Sequence, residues 1–162
     1  YKNGDLFNYF HYSSPWNLDK IQQYFTQIVR TINYCHNKYI VHGDIKLENF
    51  VLDKNFKPIL IDFENSCRIS EGKKIITSYK ISGTTGYIAP ECYLFKIGYC
   101  SDIWSLGCLL YKLLFNNGPL DEYLIMTDQI INYCDWDTLP LYIKYPKNYS
   151  HQSLIQLLKK ML

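Results

Sequence analysis

The stretch from Ile103 to Leu114 is apolar nearly all the way round a helix. An ordinary surface helix shows one apolar stripe, whereas a helix greasy on every side must be enclosed by other elements. The chain therefore needs a fold wrapped around this segment, and 162 residues are enough for one domain with one sizeable core. A hydrophobic content of 48% agrees with a packed chain and not with disorder. No run is long and apolar enough to cross a bilayer.

The surrounding elements follow from periodicity. Ile21, Phe25, Ile28, Val29 and Ile32 recur at helical spacing and predict an amphipathic helix over Leu18–Tyr34, with Asn17 as its N-cap and Asp19 in its first turn. Three short β-like runs come next: Tyr39-Ile40-Val41, Phe50-Val51-Leu52 and Ile59-Leu60-Ile61. Asp53-Lys54-Asn55 reads as the turn between the last two. Residues 64–90 lack periodicity and read as a long loop, a type that is often functional in a compact domain. Helices are expected near Tyr123–Tyr133 and Gln152–Leu162, with Pro140 and Pro146 in the loop between them. The expected architecture is mainly α with a small β-hairpin.

Charge and cysteine content exclude several classes. A net charge of +2 gives no electrostatic footprint for nucleic acid. Cys35, Cys67, Cys92, Cys100, Cys108 and Cys134 form no CxxC pair, so zinc and thioredoxin-like chemistry are not indicated. Several lie in apolar runs and read as reduced core thiols, which places the chain in a reducing, cytoplasmic setting. Asn148-Tyr149-Ser150 fits the glycosylation pattern, but nothing else suggests secretion.

The chemistry is concentrated between the first two strands. Asp44, Lys46 and Asn49 share one polar loop, and Asp62 ends the strand after it. Phosphoryl transfer needs these groups. A carboxylate aligns the attacking hydroxyl and takes its proton, a second carboxylate and an amide oxygen hold Mg²⁺, and an ammonium offsets charge on the moving phosphoryl group.

His42-Gly43-Asp44-Ile45-Lys46-Leu47-Glu48-Asn49 resembles the catalytic loop of eukaryotic-type protein kinases. Asp62-Phe63-Glu64 resembles their metal-binding triplet, Ala89-Pro90-Glu91 the end of their activation segment, and Ser101–Gly107 the start of their central buried helix. The motifs stand in family order. The resemblance covers essentially the whole chain and implies residues 1–162 of a partial kinase domain: the helical C-terminal lobe from the hinge, Gly4-Asp5-Leu6-Phe7, onward. No Gly-rich phosphate loop is visible, so the N-terminal lobe is expected outside this chain, and the isolated chain is expected to be inactive.

The resemblance assigns roles by position. Asp44 is the catalytic base, Lys46 contacts the γ-phosphate, and Thr84 bridges the two. Asn49 and Asp62 hold Mg²⁺. Asp5 faces the ribose of ATP, Val51 and Leu6 form the floor under adenine, and Glu48 faces basic residues of a protein substrate. Asp102 is expected to bond the catalytic-loop backbone, with His42 and Phe63 as members of an apolar spine. The implied activity is serine/threonine protein kinase, favoured over tyrosine specificity by Lys46, Thr84 and the pattern around Glu91. Bland readings stand beside these: Asp5 as a solvated acid, Asp102 as a helix-start residue, and Lys73, Lys74 and Lys80 as a solvated stretch.

Two positions depart from the pattern. Gly43 replaces the arginine that anchors a phosphorylated activation loop in the family, so activity here is expected not to require loop phosphorylation. Glu64 replaces a glycine, which suggests a stiffer loop and added negative charge near the metal site. These departures keep a catalytically silent interaction module as an alternative. His-Gly-Asp also begins the loop of aminoglycoside and choline kinases, so a small-molecule kinase is a further alternative.

Overall fold

A computed structural model describes residues 2–13, 16–116 and 152–162. The helix expected at Tyr123–Tyr133, the loop with Pro140 and Pro146, Cys134 and the Asn148 pattern lie outside the described residues. Five helices are described: α1 (Leu6–Tyr12), α2 (Leu18–Asn37), α3 (Pro90–Tyr93), α4 (Tyr99–Phe115) and α5 (Gln152–Met161). The strands are β1 (Ile40–Val41), β2 (Phe50–Leu52), β3 (Pro58–Leu60), β4 (Cys67–Arg68), β5 (Ile75–Thr77) and β6 (Lys96–Gly98).

α4 is the central element. Trp104, Leu106, Cys108, Leu109, Leu110, Tyr111 and Leu113 are all buried. α2 and α5 pack against it. Gly107 lets α5 approach closely, because a Cβ there would lie 2.8 Å from Leu162 Cδ2. The helix is not enclosed everywhere: Ile103 is 38% exposed, and Cys100 is exposed as well.

α2 begins as expected. Asn17 accepts a hydrogen bond from the Lys20 amide at 2.9 Å, and Asp19 lies in the first turn. Such a cap satisfies one of the orphan amides at a helix start. Ile21, Ile28 and Ile32 are buried, joined by Tyr24 and Cys35. Val29 lies at the edge of the stripe and is 38% exposed.

β2 and β3 form the expected antiparallel hairpin, in register Phe50↔Leu60, Val51↔Ile59 and Leu52↔Pro58. Its turn is held by Asp53, whose Oδ1 accepts from the amides of Asn55 at 2.7 Å and Lys57 at 2.8 Å. Two further two-stranded sheets correct the single-hairpin expectation: β1 pairs with β4 and β5 with β6, both antiparallel. Residues 64–90 are thus not simply loop. Cys35, Cys67, Cys92, Cys100 and Cys108 are free thiols, and burial pushes the Cys35, Cys67 and Cys92 thiols up. No helix among the described residues is long and apolar enough to cross a membrane.

The two sides of α4 predict different mutational costs. In the complete protein, Leu109→Ala, at a wholly buried position, should lose about 2–5 kcal/mol of unfolding free energy. Ile103→Ala, at the exposed edge, should lose less than about 1 kcal/mol. Denaturant unfolding of both variants checks the orientation of the helix, and equal losses would contradict it.

Candidate active site

The loop between β1 and β2 is hung from α4 by one buried carboxylate. Asp102, 1% exposed, accepts from the main-chain amides of His42 at 3.0 Å and Gly43 at 2.9 Å. It also meets His36 Nε2 at 2.8 Å. Since a carboxylate only accepts, that imidazole nitrogen is the donor. His42 itself is wholly buried. Its Nδ1 takes the Asp44 amide at 3.3 Å and its Nε2 faces the Ile61 carbonyl at 3.0 Å. One tautomer, with the proton on Nε2, serves both contacts. The ring packs edge-on against Phe63, with centroids 4.9 Å apart.

Asp44 follows directly and is 5% exposed. Thr84 Oγ1 donates to its Oδ1 at 2.7 Å. Lys46 Nζ lies 2.9 Å from its Oδ2 and also donates to Thr84 Oγ1 at 2.6 Å. Asn49 Nδ2 donates to the Asp44 carbonyl at 2.7 Å and reaches Oδ2 at 3.2 Å. Burial pushes the Asp44 carboxyl up. Hydrogen bonds from Thr84, Lys46 and Asn49, with the Lys46 charge, pull harder and leave it below the usual carboxylate range. Asp44 is therefore ionised at neutral pH, an acceptor beside a cation.

Asn49 and Asp62 are joined through the main chain, because the Ile61 amide donates to the Asn49 carbonyl at 2.9 Å. A carbonyl oxygen accepts only, so the Asn49 atom facing Asp44 is the amide nitrogen, which leaves the amide oxygen as the free end. Asp62 holds the left-handed region at φ 61°, and its carboxylate takes only a long contact from the Glu64 amide, 3.4 Å. Two hard oxygen donors on adjoining strand ends suit a magnesium ion.

Of the remaining predicted residues, Asp5 and Leu6 lie beside β2, Val51 lies within it, and Glu48 lies in the loop itself. Asp5 forms a bridge with Val51, and the Leu52 amide donates to the Gly4 carbonyl at 2.9 Å. Both Asp5 oxygens are engaged in starting α1, taking the Asn8 amide and Asn8 Nδ2, each at 2.8 Å. Val51 is half-buried and Leu6 wholly buried, so Val51 alone of that pair offers surface. Glu48 is exposed on the 3₁₀ turn Leu47–Asn49.

His36 and the α4 hydroxyls of Ser101 and Ser105 were not legible as site residues. A lone histidine at the end of an amphipathic helix, or a serine in a buried one, carries no spacing signal.

A helix-rich domain whose paired strands present an Asp–Lys–Asn loop is matched by a known family profile. The chain belongs to that family, described as Protein kinase domain, which matches residues 1–162. Among curated relatives, SNF1-like protein kinase ssp2 of Schizosaccharomyces pombe is 36% identical over 127 residues, 77% of this chain and 22% of that protein. Serine/threonine-protein kinase SIK1 of Mus musculus is 37% identical over 122 residues, 74% of this chain and 15% of that protein. SNF1-related protein kinase catalytic subunit alpha KIN12 of Arabidopsis thaliana is 37% identical over 122 residues, 75% and 24% respectively. The chain thus spans less than a quarter of the length of these relatives.

The Asp44 network has a pH signature. A carboxyl lowered by folding contributes stability that is fully present above its unfolded value and is lost as pH falls through the lowered folded value. Thr84→Val removes one donor, so the Asp44 value should rise and acid unfolding should begin at higher pH. Carbon-detected NMR titration of the Asp44 carboxyl in the complete protein checks this. An unmoved value would assign the lowering to Lys46 and Asn49 alone.

Proposed function

We propose that the complete protein is a serine/threonine protein kinase that transfers the γ-phosphoryl group of ATP to a hydroxyl of a protein substrate. The observation that carries this is the closed triangle of Asp44, Lys46 and Thr84, which holds an ionised carboxylate and an ammonium side by side on a rigid loop. In this reading Asp44 orients the acceptor hydroxyl and takes its proton. Lys46 stands beside it to offset negative charge on the group in transfer. Thr84 fixes the angle between the two by giving its own proton to Asp44 while accepting from Lys46.

Asn49 and Asp62 would hold Mg²⁺, through the free amide oxygen and the loosely engaged carboxylate. Bound Mg²⁺ supplies charge neutralisation at the nucleotide phosphates. Val51 gives the apolar surface for the base, with Leu6 buried on the neighbouring α1. Asp5 stands at the ribose edge, although its oxygens already cap α1. Glu48, exposed beside the loop, faces a basic side chain of the substrate.

We further propose that residues 1–162 are the helical lobe of the domain, and that the complete protein supplies the facing wall of the nucleotide cleft. Support comes from the described elements, which are mostly helices packed around α4. The intact network around Asp44 favours an enzyme over the silent-module alternative. Thr84, in bonding contact with Lys46, favours a protein hydroxyl over a small-molecule acceptor.

The test is Mg-ATP-dependent phosphate transfer to a generic basic protein by the complete protein and by its Asp44→Asn variant. The rate should fall by about 10²–10⁴ in the variant, with phosphoserine and phosphothreonine as products. Equal, background-level transfer from folded protein in both would sink the assignment.

A further inference from the structure

The segment that delivers Thr84 to Asp44 is held to the rest of the fold at several points, and apart from Lys46 Nζ, which donates to Thr84 Oγ1 at 2.6 Å, the contacts named below use no basic side chain. β5 pairs with β6 in register Ile75↔Gly98, Ile76↔Ile97 and Thr77↔Lys96. The ladder is extended at both ends, by the Ser78 amide to the Phe95 carbonyl at 2.7 Å and the Tyr99 amide to the Lys74 carbonyl at 3.4 Å. Ile97 is buried and Ile76 half-buried, so the pair also carries apolar contact.

Main chain then meets main chain at the catalytic loop. Gly83 has φ +111°, and a Cβ there would lie 3.1 Å from the Gly43 carbonyl oxygen. Gly43 has φ +78°, and a Cβ there would lie 2.7 Å from the Asn65 carbonyl oxygen and 3.1 Å from Ile97 Cδ1. Residue 43 thus touches both limbs of the segment and β6, in space too small for a side chain. Further on, Ser105 Oγ donates to the Tyr87 carbonyl at 2.7 Å. Ser101 Oγ donates to Glu91 Oε1 at 2.8 Å while accepting from the Gly98 amide at 3.1 Å.

Resting on the kinase reading above, we infer that the β5–β6 pairing is the latch that holds this segment, with Thr84, in its working position, and that opening this pairing switches the site off. A phosphate on the segment is not part of the latch. Of the hydroxyls it would modify, Thr77 and Tyr79 are exposed, and Ser78 Oγ is spent on the Lys80 carbonyl at 2.7 Å. A negative charge anchors a loop by charge-assisted bonds to basic groups. Gly43, where the segment crosses the catalytic loop, offers none.

The experiment uses the complete protein after phosphatase treatment. Amide hydrogen exchange should show Ile76, Ser78 and Ile97 protected in wild type and in a Thr77→Ala/Ser78→Ala/Tyr79→Phe/Ser82→Ala variant. Both should transfer phosphate within about twofold of untreated enzyme, the scale of a surface change below about 0.5 kcal/mol. Ile76→Pro removes the central donor of the ladder and should lower kcat/KM for protein substrate by about 100-fold, the loss that misplacement of a catalytic group produces. Its Mg-nucleotide affinity and far-UV circular dichroism should stay at wild-type values.

Free-coil exchange at these amides in the dephosphorylated protein would overturn the latch whether or not the protein transfers phosphate. A tenfold or greater loss of rate on dephosphorylation would overturn it too, as would an Ile76→Pro variant with wild-type rate. If Ile76→Pro unfolds, Ile76→Asp, which keeps the amide but removes the apolar contact, should give the same separation of rate from nucleotide affinity. Wild-type behaviour there would count against the proposal. Protected amides in a protein with no Asp44-dependent transfer would refute the kinase reading and leave the latch standing.

Discussion

The carboxylate of Asp102 is the constraint on which the site depends. A buried charge is expensive unless every lone pair is used, and here three donors converge on it: two loop amides and the His36 ring. Its place in the first turn of α4 adds the favourable end of the helix dipole. His36 lies in the last turn of α2, and its ring packs on Tyr99 with centroids 4.8 Å apart. One side chain therefore ties α2, α4 and the loop that carries Asp44 together. The loop is thereby anchored to the core, which suits the positioning role proposed for Asp44. The expected helix-start role of Asp102 and its role at the loop are the same fact.

Much of the fold was legible because its signals are local. Apolar recurrence placed α2 and α4, an Asn–Asp pair marked the start of α2, and Asp53 marked the hairpin turn. The two missed sheets share one property: their strands are two or three residues long and pair with partners far along the chain. Ile75–Thr77 has no alternation that a reader could detect, and its pairing with Lys96–Gly98 is set by how α3 turns the chain back. Tertiary placement, not propensity, makes these strands.

The site was legible for a different reason. Asp44, Lys46, Asn49 and Asp62 are the residue types that phosphoryl transfer needs, grouped in a short stretch, so type and order suffice to nominate them as candidates. What order cannot give is commitment. The Asp5 carboxylate is occupied in capping α1, and Leu6 is wholly buried, facts that only packing decides. Nor could order show that Ser101 and Ser105 hold the far end of the segment, since a serine in a buried helix reads as a helix residue and nothing more.

The two departures from the family pattern, Gly43 and Glu64, resolve on conformational grounds. Residue 43 sits at φ +78°, where any side chain is strained and its Cβ would collide with a carbonyl. Glycine there relieves strain that a larger residue would have to carry. The reverse holds two residues past Asp62. The positive φ in that triplet falls on Asp62 itself, and Glu64 is not among the described positive-φ residues. Aspartate tolerates the left-handed region better than most side chains do, so glutamate at 64 occupies backbone that makes no demand for glycine. Gly43 thus meets a conformational demand and Glu64 faces none, and both also change the local charge. Gly43 removes a cation from beneath the activation segment, and Glu64 adds an exposed anion beside Asp62. Together they make the neighbourhood of this loop more negative than the family pattern does, which leaves Lys46 as the cation in contact with Asp44.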